Sequence, residues 1–488
     1  MTIVLFGVHA LVTLPWFVAV PVSLLAVFLI SKKFIVKVPR PVKKAPTTHG
    51  SAEWGSSNDL ERCGHFGKKS FLVAKTKEEK FVKHDGHLTV MAPTGSGKGI
   101  GFIIPNLLTY EGSALVLDVK GENYAVSKRQ REKIGQKVYA IDPFSVVTSE
   151  SSCFNVLDTI SLDSPDCIGD ALIISSNMVL TTLDKADHWD ESAQNLIQGL
   201  ILYAKTMEKS KQNLVTVRHL LTCNSEELES HLEKMTMSGQ AFGIIQRAAN
   251  VFASKNEKER LSILSTAQRH TAFIDDPRIA ACFSGSSFDI SSIQKKKTSI
   301  YAILPPSKLQ VNSRFVRLII GSVLSTIMKQ KSPKYEISLF LDEFAQLGYM
   351  EQIENGISIL RGYKASIVII LQDLSQLKGI YKKWQTFLAN SGKIFFAVSD
   401  IDTAKYISET LGKKTGITQS TSHSDHGMTT SYSNQARSLL NPDEVLTLAR
   451  EQVIYLVPSE KPYKLSRINY LNDSQFIGLY DENPYHRA

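Results

Sequence analysis

The stretch Ala92-Pro93-Thr94-Gly95-Ser96-Gly97-Lys98-Gly99 lies between a short apolar run, His87 to Met91, and a helix-like stretch, Ile100 to Leu108. Strand, glycine turn, lysine and helix in that order are what a phosphate-binding P-loop needs. Across Thr94, Gly95, Ser96, Gly97 and Gly99 the backbone N–H groups would converge on an anion, and the helix N-terminus adds positive potential. Lys98 would reach the β- and γ-phosphates of ATP. Two positions depart from the common pattern: Ala92 stands for its first glycine, and Gly99 for the Ser/Thr that usually ligates Mg2+.

A second feature supports that reading. The apolar run Glu336 to Leu341 ends in Asp342-Glu343. Adjacent carboxylates at a strand's C-terminal end suit Mg2+ binding and water activation in a P-loop ATPase. Asp342 would hold Mg2+ through water, and Glu343 would polarise the attacking water. A lone Asp-Glu is commonly a solvated strand end; beside a P-loop the catalytic role is preferred. Gln372 directly follows another apolar run, Ser366–Leu371. It would sense the γ-phosphate or orient water, or else cap the helix starting near Asp373. Arg361 ends a helix-like stretch after the acidic pair, where an exposed arginine can enter a neighbouring subunit's site, though many helices end in arginine.

The elements that must position these residues are legible as apolar runs. Strand-like segments are Leu88–Met91, Ala114–Asp118, Lys137–Ile141, Thr298–Leu304, Ile337–Leu341, Ser366–Leu371 and Ile394–Val398, most of them uninterrupted, as in a parallel sheet covered on both faces. Helix-like stretches Glu122–Ile134, Phe315–Lys329, Met350–Arg361 and Asp400–Leu411 alternate with them, so the fold class expected is three-layer α/β with a mostly parallel sheet. Between Pro165 and Pro277 there is no proline and helical periodicity is steady, which predicts an inserted all-α domain. That insertion accounts for the wide separation of Lys98 from Asp342. The expected organisation is an anchor over 1–31, a linker and lead-in over 32–80, a nucleotide-binding domain over 81–164 and 291–475, the all-α domain over 165–290 and a tail over 476–488. The segment from Thr418 to Gln435, rich in Ser, Thr and His, is expected to be a mobile loop.

From Ala10 to Ile30 the chain carries no charged residue, and as a helix this segment matches a bilayer core of about 30 Å. Lys32, Lys33, Lys37, Arg40, Lys43 and Lys44 follow at once. The positive-inside rule then predicts one N-terminal transmembrane helix with the bulk of the protein in the cytoplasm. That cluster supplies much of the net charge of +9, so the rest of the chain is only mildly basic. Short clusters at Lys295-Lys296-Lys297, Lys329-Lys331-Lys334 and Lys378-Lys382-Lys383 suit either a nucleic-acid backbone or plain solvent. The five cysteines form no CxxC pair, which argues against a zinc site or a disulfide framework.

Taken together these residues resemble the type IV secretion coupling proteins, the TraG-like ATPases of bacterial conjugation. The resemblance runs from Gly50 to about Tyr470. It is carried by Gly50-Ser51-Ala52-Glu53-Trp54, the loop from Ala92 to Gly101, Leu117-Asp118-Val119-Lys120-Gly121-Glu122 and Ile141-Asp142-Pro143-Phe144. Leu341-Asp342-Glu343-Phe344 and Ala436-Arg437-Ser438-Leu439-Leu440 complete it. It implies a RecA-like P-loop NTPase domain, an all-α domain facing the cytoplasm and a homo-hexameric ring at the bacterial inner membrane. It further implies ATP and Mg2+ as cofactors, and delivery of relaxase-bound single-stranded DNA or secreted proteins to other components of the secretion system. Lys98, Asp342 and Glu343 match the family's lysine and acidic pair; Arg361 would be its trans-acting arginine and Gln372 its strand-end glutamine. Gly-Lys-Gly is similar to the TraG-like branch. A membrane receptor that uses nucleotide for assembly rather than translocation is the alternative reading.

Overall fold

The computed structural model describes residues 47–180, 188–424 and 427–485. The apolar segment from Ala10 to Ile30 lies outside the described residues. Among the described residues no helix is long and apolar enough to cross a membrane. The main unit comprises Ala52–Lys414 and Arg437–Ala488; a small unit takes in residues 47–51 and Thr415–Ala436.

In chain order the strands of the main sheet are β1 (Phe71–Lys75), β2 (Phe81–His84), β3 (His87–Met91), β4 (Ser113–Asp118), β5 (Lys137–Ile141), β6 (Thr298–Ile303), β7 (Ile337–Leu341), β8 (Ala365–Leu371) and β9 (Ser391–Phe396). Two further strands, β10 (Lys413–Ser424) and β11 (Gly427–Ser438), pair apart from it. The last two, β12 (Gln452–Leu456) and β13 (Tyr463–Ser466), return to the main sheet, whose order is β2-β1-β13-β12-β9-β3-β8-β7-β4-β6-β5. From β9 to β5 every neighbouring pair is parallel. The other side, from β12 to β2, is antiparallel.

The parallel half follows from composition. Every residue of β3, β4, β6, β7 and β9 is buried, as strands covered on both faces must be. In β7, Ile337, Leu339 and Leu341 enter one apolar core with residues of the helices Cys167–Met178, His188–Lys205 and Ser313–Lys329. Phe340 points the other way, into a core shared with Phe102, Leu107 and Tyr110. Register then sets the site: Met91 pairs with Leu371 and Leu341 with Ile369. The residues just past these strands therefore leave the sheet along one edge.

Between β5 and β6 the described chain is helical. Asn213, Asn224 and Asn256 each cap a helix there by accepting the backbone N–H of the third residue on, the geometry short amide side chains favour.

Three expectations needed revision. The lead-in through residue 80 is more than a linker: it carries the helix Ser57–Arg62, capped by Ser56, and the buried strand β1. The Ser/Thr-rich segment around residues 418–435 forms the β10–β11 ribbon rather than a loop, with Thr418 Oγ1 donating to Gln435 Oε1 at 3.2 Å. Threonine is compatible with strands, and a ladder needs no apolar face to close its backbone hydrogen bonds. The stretch after Lys98 opens as a π-helical turn, Gly99–Ile103, before the α-helix Ile104–Thr109. Pro105 has no N–H to offer to the ladder there, and such wide turns recur at functional sites.

Candidate active site

The glycine loop leaves β3 tied to its neighbour, because Ala92 N donates to Leu371 O at 2.8 Å. Ser96 N then donates to Pro93 O at 3.1 Å and closes the turn. Gly95 and Gly97 take φ of +78° and +86°, a region that side-chain-bearing residues rarely adopt. Ser96 Oγ is buried and has no hydrogen-bond partner; an anion seated in the loop would supply one.

The carboxylates arrive from β7. Lys98 Nζ donates to Asp342 Oδ1 and to Glu343 Oε1, each at 2.7 Å. Glu343 N donates to Asp342 Oδ1 at 3.0 Å. Glu343 itself sits at φ 50°, ψ 40°, a left-handed conformation that costs a non-glycine residue and clusters at functional sites. Burial opposes the charge on Lys98, but the two carboxylates outweigh it and hold its pKa above the ordinary lysine value. Burial likewise pushes Asp342 above the usual carboxylate range, with Lys98 pulling it back.

Gln372 joins this group. Its Nε2 donates to Glu343 Oε2 at 3.3 Å. The helix Leu374–Ile380 is capped by Asp373, whose Oδ1 accepts from Gln376 N at 3.0 Å, so the capping role falls to the neighbour of Gln372.

Arg361 is elsewhere. It lies in the turn Leu360–Tyr363 ahead of β8, where its Nη2 donates to Asp85 O at 3.2 Å and its guanidinium covers Gly86. Lys98, Asp342, Glu343 and Gln372 stand at the C-terminal edge of the sheet and Arg361 at the N-terminal edge. The seven residues of β8 separate the two edges, which at strand rise is about 23 Å. Arg361 therefore does not reach the carboxylates of its own chain.

Two residues near the loop were not singled out as site residues from sequence. Asp118, the last residue of β4, is fully buried and accepts from Tyr124 N at 2.8 Å. Burial pushes its pKa up to about 7, the Tyr124 amide pulls it down, and the charge of Asp342 adds to the rise. A third strand-end acid after an apolar run was the available signal. Arg467, just past β13, donates through Nη1 to Ser96 O at 2.7 Å; nothing local in the sequence marks it.

The carboxylate oxygens of Asp342 are hard donors of the kind Mg2+ prefers, with the Glu343 carboxylate left beside them. Gly99 contributes none, yet a Cβ placed on it would meet Glu122 Oε1 only at 3.9 Å, so space for a side chain exists.

A model of the family described as type IV secretory system conjugative DNA transfer matches residues 35–485. The chain is similar to protein VirD4 of Agrobacterium fabrum, with 30% identity over 458 residues covering 89% of this chain and 67% of that protein. It thus spans about two thirds of that relative's length. Among solved structures it resembles the plasmid coupling protein TrwB in complex with the ATP analogue ADPNP, with a TM-score of 0.66, 16% identity and coverage of 88% of this chain and 96% of that one. TrwB in complex with ADP and Mg2+ gives a TM-score of 0.65 at 17% identity over 87% of this chain and 96% of that one. At these identities the structural likeness speaks for the fold.

Proposed function

The chain belongs to the type IV secretory system conjugative DNA transfer family, its relatives include a type IV secretion system-coupling protein VirD4 and a conjugal transfer protein TraG, and on that premise we propose that it hydrolyses ATP to drive DNA transfer. One observation carries the reading: Lys98 Nζ is 2.7 Å from both Asp342 and Glu343, although 244 positions or more separate them in sequence. A lysine at the glycine loop and two carboxylates across from it are the minimum a P-loop hydrolase requires.

In this mechanism the glycine-loop amides and Lys98 bind the phosphate chain, and Asp342 would hold Mg2+. When bound, the metal supplies charge neutralisation on the β- and γ-phosphates. Glu343 accepts a proton from water as the water oxygen forms its bond to the γ-phosphorus. The bond from that phosphorus to the bridging oxygen breaks, ADP leaves with the electron pair, and the proton passes on to the released phosphate. Gln372 fixes the orientation of Glu343. Arg361 would complete the site of a neighbouring subunit in a homo-hexameric ring, where it would stabilise charge on the transferred phosphoryl group.

The remaining parts of the reading rest on sequence and family. The segment from Ala10 to Ile30, with its following lysines, would anchor the chain once in the bacterial inner membrane and leave the bulk in the cytoplasm. Relaxase-bound single-stranded DNA, or a secreted protein, would be the cargo, passed to other secretion components.

ATPase rates of Lys98→Ala and Glu343→Gln test the proposal. Each is expected to fall by about 10²-fold or more, with DNA stimulation lost. Hydrolysis at the wild-type rate in either folded variant would overturn it. Tight ATP binding by the wild type with negligible turnover would instead favour the receptor reading.

A further inference from the structure

The P-loop of this chain is braced from outside the β3–helix unit that forms it. Strand β13 pairs with β12, and β12 with β9, which flanks β3. The residue after β13 is Arg467, whose backbone N donates to Glu451 O at 2.6 Å and fixes the start of its side chain. The guanidinium then reaches across to Ser96, where Nη1 donates to the backbone carbonyl at 2.7 Å. A Cβ on Gly97 would overlap that same nitrogen. A Cβ on Gly101 would stand 2.8 Å from Arg467 Cγ, 3.0 Å from Cδ and 3.1 Å from Ile468 O. Two glycines of the loop and its helix therefore leave room for one arginine 371 positions from Ser96. Three residues on, Tyr470 N faces Ile100 O at 3.5 Å, so the same segment lies along the helix as it starts.

This contact has two consequences for an anion. With its carbonyl bonded to Arg467, Ser96 presents that oxygen, the group that would repel phosphate, to a cation. Gly97 is held with its amide free of that contact. The guanidinium also adds a full positive charge beside the loop, in a setting where charged hydrogen bonds are stronger than in water.

We propose that Arg467 is a positioning residue of the nucleotide site, which holds the Ser96–Gly97 peptide in the conformation that accepts the phosphates of a nucleoside di- or triphosphate. The inference rests on the reading of Lys98 and its loop as a nucleotide site. It assigns Arg467 no part in the chemical step, so its signature is in affinity rather than turnover.

The test uses the full chain, with affinity for ADP, ATP and AMP measured by calorimetry and turnover measured separately. Arg467→Met is expected to weaken ATP and ADP binding about tenfold, the scale of one lost charged hydrogen bond, to leave AMP binding unchanged and to keep kcat at saturating ATP within about twofold. Arg467→Lys keeps the charge and loses the planar fork, and is expected to fall between the two. Wild-type affinity for ADP and ATP in both variants would overturn the proposal, as would a fallen kcat at unchanged affinity. If Arg467→Met does not fold, Arg467→Lys alone decides by the same criterion. Lys98→Ala serves as the control: should it bind ATP normally, the site reading itself fails, whereas a defective Lys98→Ala beside a normal Arg467→Met sinks only the role of Arg467.

Discussion

At the C-terminal edge of the parallel strands stand Lys98, Asp118, Asp342, Glu343 and Gln372; at the N-terminal edge of the same strands stand Lys296, Lys297, Lys334 and Arg361. The first group is drawn inward. Asp118 is fully buried, and less than a quarter of each of the Lys98, Asp342 and Glu343 side chains is exposed. The second group is more open: Lys334 N donates to Gln294 O at 3.1 Å, the Gln294 side chain donates through Nε2 to Tyr363 O at 2.8 Å, and Lys296, Lys334 and Arg361 are exposed. Two edges of one sheet thus differ in what their charges can do. Groups at the buried edge perturb one another, and on the proposed function they would bind and activate a ligand. Cations at the open edge have weak local partners, Asp85 O for Arg361 and Glu111 for Lys297, and on the proposed function they would act on another molecule, either a nucleic-acid backbone or the active site of a second copy.

The largest effect that separates the edges is expected for Arg361→Ala. A trans-acting arginine contributes about 10³-fold to turnover. We expect kcat to fall on that scale with ATP affinity kept, because Arg361 is remote from its own loop. Mixing Arg361→Ala with Glu343→Gln is expected to restore part of the activity, since some interfaces then join an intact glutamate to an intact arginine. A mixture as inactive as its components would show that the open edge does not serve a neighbour's site. Gln372→Ala belongs to the buried edge and acts within one chain. Its expected cost is about 10- to 100-fold in kcat at little change in KM, and mixing it with Arg361→Ala is expected to restore part of the activity as Glu343→Gln does, since a chain with intact Gln372 and Glu343 then meets an intact arginine. A mixture no more active than its components would instead place Gln372 on the arginine's side of the interface.

The difference between the edges was partly legible in the sequence, and the limits are physical. Asp342 and Gln372 each follow an apolar run directly and Lys98 ends the glycine loop that follows another; parallel register brings such strand ends to one edge, so their meeting followed from the strands and the loop. Arg361 precedes its strand rather than following it, and that order already placed it across the sheet. The antiparallel side was not legible, since β2 and β13 have four residues each and alternate buried with partly or fully exposed positions, a pattern too short to distinguish from a loop. Arg467 was hidden for the same reason: its partner is a backbone carbonyl, which no residue type announces. Asp118 was visible as a strand-end acid, but its burial depends on the helix Glu122–Lys133 closing over it through Tyr124 N.

Asp118 gives the subtlest way to sharpen the comparison, through pH. Its pKa is about 7 in the folded protein against 3.8 ordinarily, with burial as the main cause. Below about pH 4 both folded and unfolded chains hold the proton, and above about pH 7 both release it. Between these values the unfolded chain is ionised while the folded chain keeps its proton, so folding takes up a proton and stability falls as pH rises through that window. The ceiling on the fall is about 4 kcal/mol from the size of the shift. Asp118→Asn keeps an oxygen for Tyr124 N and removes the ionisation. Urea midpoints measured from pH 4 to pH 8 should therefore show the variant gaining on the wild type as pH rises, with titrations shared by both chains cancelling in the difference. Arg361→Ala, at the open edge and far from Asp118, should give a curve parallel to the wild type over the same range. If the Asp118→Asn curve is also parallel, the buried edge carries no suppressed charge, and the electrostatic contrast between the two edges fails.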